Sequence, residues 1–278
     1  MESPAKNSVA VHELRDSSIE VKDRVAVLTF KRHDVRNALT GTALIEDIVQ
    51  TVHWANNESA VSVLIITGDG SAFCSGGNVK EMQSKSGSFA GSPVEIQDRY
   101  RRGIQQIPLA LHAAEIPIIA AVNGPAIGAG FDLACMCDIR IASTRAKVGE
   151  AFINLGITPG DGGAWFMQRL IGYQRAAELT FTGRIVNADE ALGLGLFLEV
   201  VEPDELMPRA LELAGQMAAK PPQTLRLTKR MMKLAQRSEL PDFLDLCATF
   251  QAMAHHTADH HEAVDAFLEK RAPNYQGK

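Results

Sequence analysis

A chain of 278 residues, 46% apolar and 22% charged, has room for roughly two units of about 150 residues and can bury a core without disulfide or metal staples. Its formal net charge of −5 speaks against the basic footprint of a general nucleic-acid binder, and its longest apolar runs, such as Pro117 to Val122, fall far below the ~20 residues of a membrane helix. Four cysteines with no C-x-x-C and no paired spacing argue against a disulfide framework or zinc site and for a reducing, cytoplasmic location.

The first segment, Met1 to Asp16, is polar and mixed in charge, unlike a signal or transit peptide. Arg24 to Phe30 is short, apolar and β-branched, and predicts a strand that can pair with the more polar residues before it as a hairpin. From Thr40 the positions Leu44, Ile45, Ile48, Val49 and Val52 recur near helical spacing, so a helix is expected that ends before Asn56. Val61 to Thr67 and Ile116 to Val122 are continuous apolar runs, as in strands covered on both faces, and Asp138 to Ala142 predicts another. Strands alternating with helices imply crossover units and a parallel, layered α/β core. Between them, Gln83 to Ser92 is rich in Ser, Lys and Gly and has the composition of a mobile loop. After about residue 200, four stretches read as helices: Asp204 to Ala219, Pro222 to Ala235, Asp242 to Ala254 and Asp259 to Lys270. We therefore expect a core over residues 1–200 and a helical region over 201–278, which must fold back on the core or pack on another subunit.

Several familiar motifs fail on spacing. Gly128-Ala129-Gly130 is followed by Leu133 where a dinucleotide fingerprint needs its third glycine, and neither a phosphate-binding G-x-x-x-x-G-K-[ST] loop nor a G-x-S-x-G elbow is present. His255, His256, His260 and His261 could offer metal ligands one turn apart, but a solvated helix face explains them more simply, and no metal is expected. Cys135 and Cys137 read as small buried hydrophobes, while Cys74 sits in a candidate active-site turn.

Two glycine-rich turns survive this filter. One is Ala72 to Met82, around Ser75-Gly76-Gly77-Asn78, after the strand ending near Thr67. The other is Val122 to Ala134, around Gly128-Ala129-Gly130, where a strand ends and a helix begins near Ala129. Either could be only a tight turn. Brought together, they would present two backbone donors to one oxygen, the arrangement that stabilises an enolate or tetrahedral oxyanion.

With these turns, the order of Leu28-Thr29-Phe30, Arg36-Asn37-Ala38-Leu39, Pro159-Gly160-Asp161-Gly162-Gly163, Thr182-Gly183-Arg184, Ala188-x-Glu190-Ala191, Gly195, Val200-Val201 and Phe267 to Arg271 resembles the crotonase superfamily over nearly the whole chain. The resemblance implies a layered β-β-α superhelical core, an acyl-CoA thioester substrate whose coenzyme A serves in place of any separate cofactor, and assembly as a homotrimer or dimer of trimers through the C-terminal helices. Neither nucleic acid nor membrane is implied as a partner. It also implies that the thioester oxygen is held by the amides of Gly77 and Ala129, and that Arg36, Phe267 and Lys270 reach the coenzyme A moiety, the last two often from another subunit.

The acids depart from the family's hydratases. Asp132 fills the place of the first catalytic carboxylate, three residues after the second oxyanion donor, one methylene shorter than the usual Glu and as in dienoyl-CoA isomerases. Phe152 stands where the second carboxylate belongs, and a phenyl ring can neither orient nor deprotonate water. Glu150 and Asp161 are the candidate substitutes, while Phe152 would shape the acyl pocket. Each acid also has a structural reading: Asp161 could cap the next helix, Asp132 could be held by a helix dipole, and Glu150 could be solvated or ion-paired. Asp132 leads as the proton-transfer group. The expected function is enoyl-CoA hydratase-like enolate chemistry. Isomerisation with one carboxylate, CoA-thioester hydrolysis and a degenerate CoA-binding scaffold stand as alternatives.

Overall fold

The computed structural model describes residues 13–278; the reading of Met1 to Asp16 falls largely outside them. Strands β1 (Ser17–Lys22) and β2 (Val25–Phe30) form the expected hairpin, joined at Asp23-Arg24. Both linking residues have positive φ, 49° and 67°, the backbone signature of the two-residue turn whose twist matches that of paired strands. Helix α1 (Leu44–Asn57) then crosses to β3 (Val63–Gly68). It starts later than Thr40 because Thr42 Oγ1 donates to Ala38 O at 2.7 Å and Asp16 Oδ2 accepts from Ala43 N at 2.6 Å, which holds that segment as a turn.

Short helices α2 (Val79–Ser84), α3 (Pro93–Arg102) and α4 (Gln106–Ala113) follow, then β4 (Ile118–Val122), β5 (Ala126–Ile127), α5 (Ala129–Met136), β6 (Ile139–Ser143) and β7 (Lys147–Gly149). The stretch read as a loop contains the end of α2 and a 3-10 turn at Gly87–Phe89. After a 3-10 turn at Ala151–Leu155 come α6 (Gly163–Ile171), α7 (Tyr173–Thr182), β8 (Val186–Asn187), α8 (Ala188–Leu194) and β9 (Glu199–Val201).

The main sheet has the order β1-β2-β3-β4-β6-β9 and is parallel from β2 onward. A three-stranded sheet, β5-β7-β8, adds a second layer that the sequence did not announce, since pieces of two or three residues carry no periodicity. Alternation along β3 sends Leu64 and Ile66 into the core shared with Leu44, Ile48 and Phe131. Val63 and Ile65 point to the opposite face, onto Leu206, Ala210 and Ala214 of α9 (Leu206–Ala218). Both faces of the sheet are thus buried, as its continuous apolar strands require. Because α9 covers one face, residue 200 does not mark the end of the packed core.

Helices α10 (Pro222–Ala235), α11 (Leu240–His255) and α12 (Ala258–Glu269) complete the chain. One row of cations ties α10 to the core. Arg226 donates to the carbonyls of Ala55, Asn56, Glu58 and Val61 at 2.9–3.2 Å. Lys229 Nζ reaches Ile116 O and Asp138 Oδ2, each at 2.6 Å, and Lys233 Nζ reaches His112 O and Ala114 O at 2.5 and 2.8 Å. Arg226 and Lys233 therefore sit on the negative, carbonyl-bearing ends of α1 and α4. Among the described residues no helix is long and apolar enough to cross a membrane.

Candidate active site

The two glycine turns leave the carboxyl ends of the adjacent parallel strands β3 and β4, where open α/β sheets place their ligands. They then run side by side: Cys74 and Ala126 form a parallel bridge, Ile127 N donates to Cys74 O at 3.1 Å, and Phe73 N donates to Pro125 O at 3.0 Å. Gly77 and Ala129 each lie three residues beyond that bridge, so the pairing brings them level. Glycine is what permits the approach. A Cβ on Gly130 would lie 2.1 Å from Cys74 O, and one on Gly76 (φ +78°) would lie 2.6 Å from Ile127 O and 3.0 Å from Ala129 N.

Among the described residues, neither the Gly77 N–H nor the Ala129 N–H donates to a protein acceptor. For Ala129 the reason is its place at the first position of α5, where the amide has no carbonyl one turn back. The Gly77 turn is held from outside: Ser75 N donates to Arg36 O, Gly76 O accepts from Leu39 N, and Asn78 N donates to Thr40 Oγ1 at 2.7 Å. Buried Asn37 anchors this segment, accepting from Arg32 N and donating to Asp69 O and Ala72 O. Asn37 and Thr40 are supports that sequence reasoning passed over, although Asn37 lies inside the quoted Arg36–Leu39 motif.

Both amides line one cavity of about 60 Å³, together with Met82, Phe89, Tyr100, Phe152 and Asp161. Phe152 lies on its wall, as expected. Beside it, a wider cleft shares Thr40 and Gly77 with the cavity and is lined by Arg36 and Lys80. Phe267 and Lys270 are not brought to either space in this chain: Phe267 is 82% exposed near the end of α12, and Lys270 follows that helix in left-handed conformation.

The three acids converge, at different depths from the cavity. Asp132, Glu150 and Asp161 are all buried, and only Asp161 lines the cavity. Asp132 sits behind it, with Oδ2 accepting from Gly163 N at 3.1 Å at the start of α6. The helix-capping role considered for Asp161 thus belongs to Asp132; Gly162 occupies the cap position itself. Glu150 is neither solvated nor ion-paired: it is fully buried and accepts from Thr180 Oγ1 of α7 at 2.6 Å.

Burial holds all three carboxyls above their ordinary range, Asp132 most strongly; the Asp161 charge adds to the rise at Asp132 and Glu150, while the hydrogen bond with Asp132 moderates it at Asp161. Ionised together they would leave both Asp161 oxygens, Asp132 Oδ1 and Glu150 Oε1 without a donor. A proton on Asp132, hydrogen-bonded toward Asp161 or Glu150, relieves that conflict. Burial also pushes the Cys74 thiol up to about 12, which makes it an inert packing group. The described residues hold no group of three or more His, Cys, Asp or Glu side chains placed to bind a metal.

Two residues with unengaged amides lining one cavity beside a buried acid are an arrangement that can hold a developing oxyanion while a proton moves nearby, on a crotonase-type scaffold. The chain belongs to the enoyl-CoA hydratase/isomerase family, whose profile matches residues 20–278, and is an enzyme of that family. It is 37% identical to the crotonyl-CoA hydratase of Syntrophomonas wolfei over 261 residues, covering 94% of this chain and 97% of that one. It is 36% identical to the short-chain-enoyl-CoA hydratase of Clostridium acetobutylicum over 262 residues, covering 93% and 97%. The crystal structure of an enoyl-CoA hydratase from Bacillus anthracis superposes with a TM-score of 0.88 at 32% identity, covering 95% of this chain and all of that one.

Proposed function

We propose that the protein acts on enoyl-CoA thioesters as a hydratase, holding the thioester oxygen between the amides of Gly77 and Ala129 while Asp161 moves the proton at the reacting carbons. The observation that carries this reading is that Gly77 and Ala129, whose amides are unengaged, line a single cavity together with Asp161. Water addition to a conjugated thioester, or removal of a proton beside its carbonyl, places negative charge on that oxygen, where fixed donors stabilise it without reorganisation. Protonated Asp132 would donate to Asp161 from behind, keeping the facing carboxylate available as base, and Glu150 would complete a proton relay.

The names of the relatives support hydration. One observation favours a second reading: the cavity is lined by one carboxylate, with Phe152 beside it rather than a second acid. A single base that lifts a proton from one carbon and returns it two carbons on gives double-bond isomerisation. Crotonyl-CoA and a 3-enoyl-CoA separate the two, because hydration removes conjugated-thioester absorbance and isomerisation creates it. Silence with both substrates, with binding of butyryl-CoA, would leave only a CoA-binding scaffold, and release of free thiol would point to hydrolysis.

The cleft lined by Arg36 and Lys80 is the proposed path of the coenzyme A moiety, on the support of its continuity with the cavity at Gly77. Exposed Met232, Leu244, Phe267 and Leu268 on α10–α12 support assembly as a homotrimer or dimer of trimers. In such an assembly Phe267 and Lys270 would meet a neighbour's nucleotide. Light scattering that shows only monomers would end that part of the reading. Four unpaired cysteines, three of them buried, support a reducing, cytoplasmic setting.

A further inference from the structure

The cavity that holds Gly77, Ala129 and Asp161 is walled by apolar side chains, Ile45, Met82, Phe89, Ile104 and Ile157, with one cation among them, Arg99. Its volume of about 60 Å³ is that of a short chain, and at Tyr100, Ile157 and Gly160 it adjoins a wider space. Arg99 is anchored at one nitrogen only: Nε donates to Ser88 O at 3.2 Å, which aims the side chain beneath the 3-10 turn at Gly87–Phe89. Its Nη2 is fully buried without a hydrogen-bond partner, and Nη1 has none among the described residues. Glu95, one turn back on α3, feels the Arg99 charge, which helps hold its carboxyl below the ordinary range, but its Oε2 is engaged in the capping box, accepting from Ser92 N and Oγ at 2.7 and 2.8 Å. Arg99 makes no ion pair with any described residue within 4.0 Å.

A guanidinium that lines an apolar cavity with neither terminal nitrogen hydrogen-bonded can match a carboxylate in two parallel bonds once its buried Nη2 turns to the cavity. We propose that the preferred acyl group is short and ends in a carboxylate, so that the substrates are monothioesters of unsaturated dicarboxylic acids, with Arg99 binding the free carboxylate. This rests on the reading of the cavity as the acyl site. Asp161 is the one acid among the residues that line the cavity, and the proposed mechanism keeps it ionised, so Arg99 is the group that must hold the second carboxylate away from it.

The test is binding of saturated thioesters by calorimetry, which needs no turnover: succinyl-, glutaryl- and adipyl-CoA against butyryl-, valeryl- and hexanoyl-CoA. At the best chain length the carboxylated member should bind about 10- to 100-fold more tightly than its uncharged partner. The preference should vanish in Arg99→Met and return in part in Arg99→Lys. A uniform loss across both series in Arg99→Met would assign Arg99 to holding the turn instead. Equal or weaker binding of every carboxylated member by the native protein would overturn the proposal, whatever the variants do. Failure of both series to bind would instead strike at the acyl-CoA reading itself.

Discussion

Replacing Ala129 with proline deletes one hydrogen-bond donor from the active site while asking little of the fold. Ala129 is the first residue of α5, and its N–H has no protein acceptor, so proline removes an amide that the helix does not use. The residue before it is Gly128, with φ 54° and ψ −125°. This is the mirror image of the extended conformation that precedes proline, open to glycine because it lacks a Cβ. Gly76 approaches this nitrogen closely, so the melting curve must show that the ring is accommodated. The cost should then fall on catalysis. Loss of one of two oxyanion donors lowers kcat by about 10²–10³, or roughly 2.7–4 kcal/mol of transition-state stabilisation. The assay is the change in conjugated-thioester absorbance with crotonyl-CoA, alongside a melting curve. Butyryl-CoA affinity separates loss of a donor from blockage by the ring, and Ala129→Gly, which keeps the N–H, should stay near the native rate. A folded Ala129→Pro enzyme with native kcat would refute the paired-amide mechanism.

Asp161→Asn keeps the shape of the cavity wall and removes the proton acceptor, so kcat should fall by about 10²–10⁴ with butyryl-CoA affinity retained; a native rate would move the chemistry to another group. For Asp132→Asn the signature is in stability against pH. Burial raises the native pKa of Asp132 above its unfolded value, so the native state binds more protons and native stability declines as pH rises from the ordinary carboxylate range toward the raised one, by about 1.4 kcal/mol for each pKa unit of difference. The variant can still accept from Gly163 and lacks that titration, so urea melts between about pH 5 and about pH 8 should show it gaining on the native protein as pH climbs. Parallel slopes would contradict a buried, protonated Asp132. Arg226→Met strands carbonyls at the end of α1 and should cost about 2–3 kcal/mol, a fall of roughly 4–12 °C in Tm for a chain of this size; an unchanged melting curve would mean that α10 is held by other contacts.

What could be read from the amino acids alone follows the length of the signal. Continuous apolar strands at Val63–Gly68 and Ile118–Val122 and the four C-terminal helices emerged within a few residues of their observed ends, because burial on both faces and helical periodicity extend over several positions. The second sheet stayed invisible. Its strands are held by neighbours distant in sequence, such as Cys74 beside Ala126, rather than by local pattern. Within the site, the glycine turns were legible because a missing Cβ is a local property. The depth of each acid was not: motif spacing singles out Asp132, whereas which acid residue lines the cavity depends on how α5 packs against α6, and Gly163 leaves just enough room for Asp132 to lie behind. Arg99 and Tyr100 were missed for a related reason, since α3 is polar along its length and offers no sequence cue that one face roofs a cavity.

The seam between α10 and the rest of the molecule has an evolutionary corollary. Arg226 and Lys233 grip main-chain oxygens almost exclusively, and every residue supplies one of those whatever its side chain. Side-chain replacement at the less buried gripped positions, Asn56, Glu58 and His112, should therefore leave the clasp intact, whereas Ala55, Val61 and Ala114 are also constrained by burial and the two cations have no such latitude.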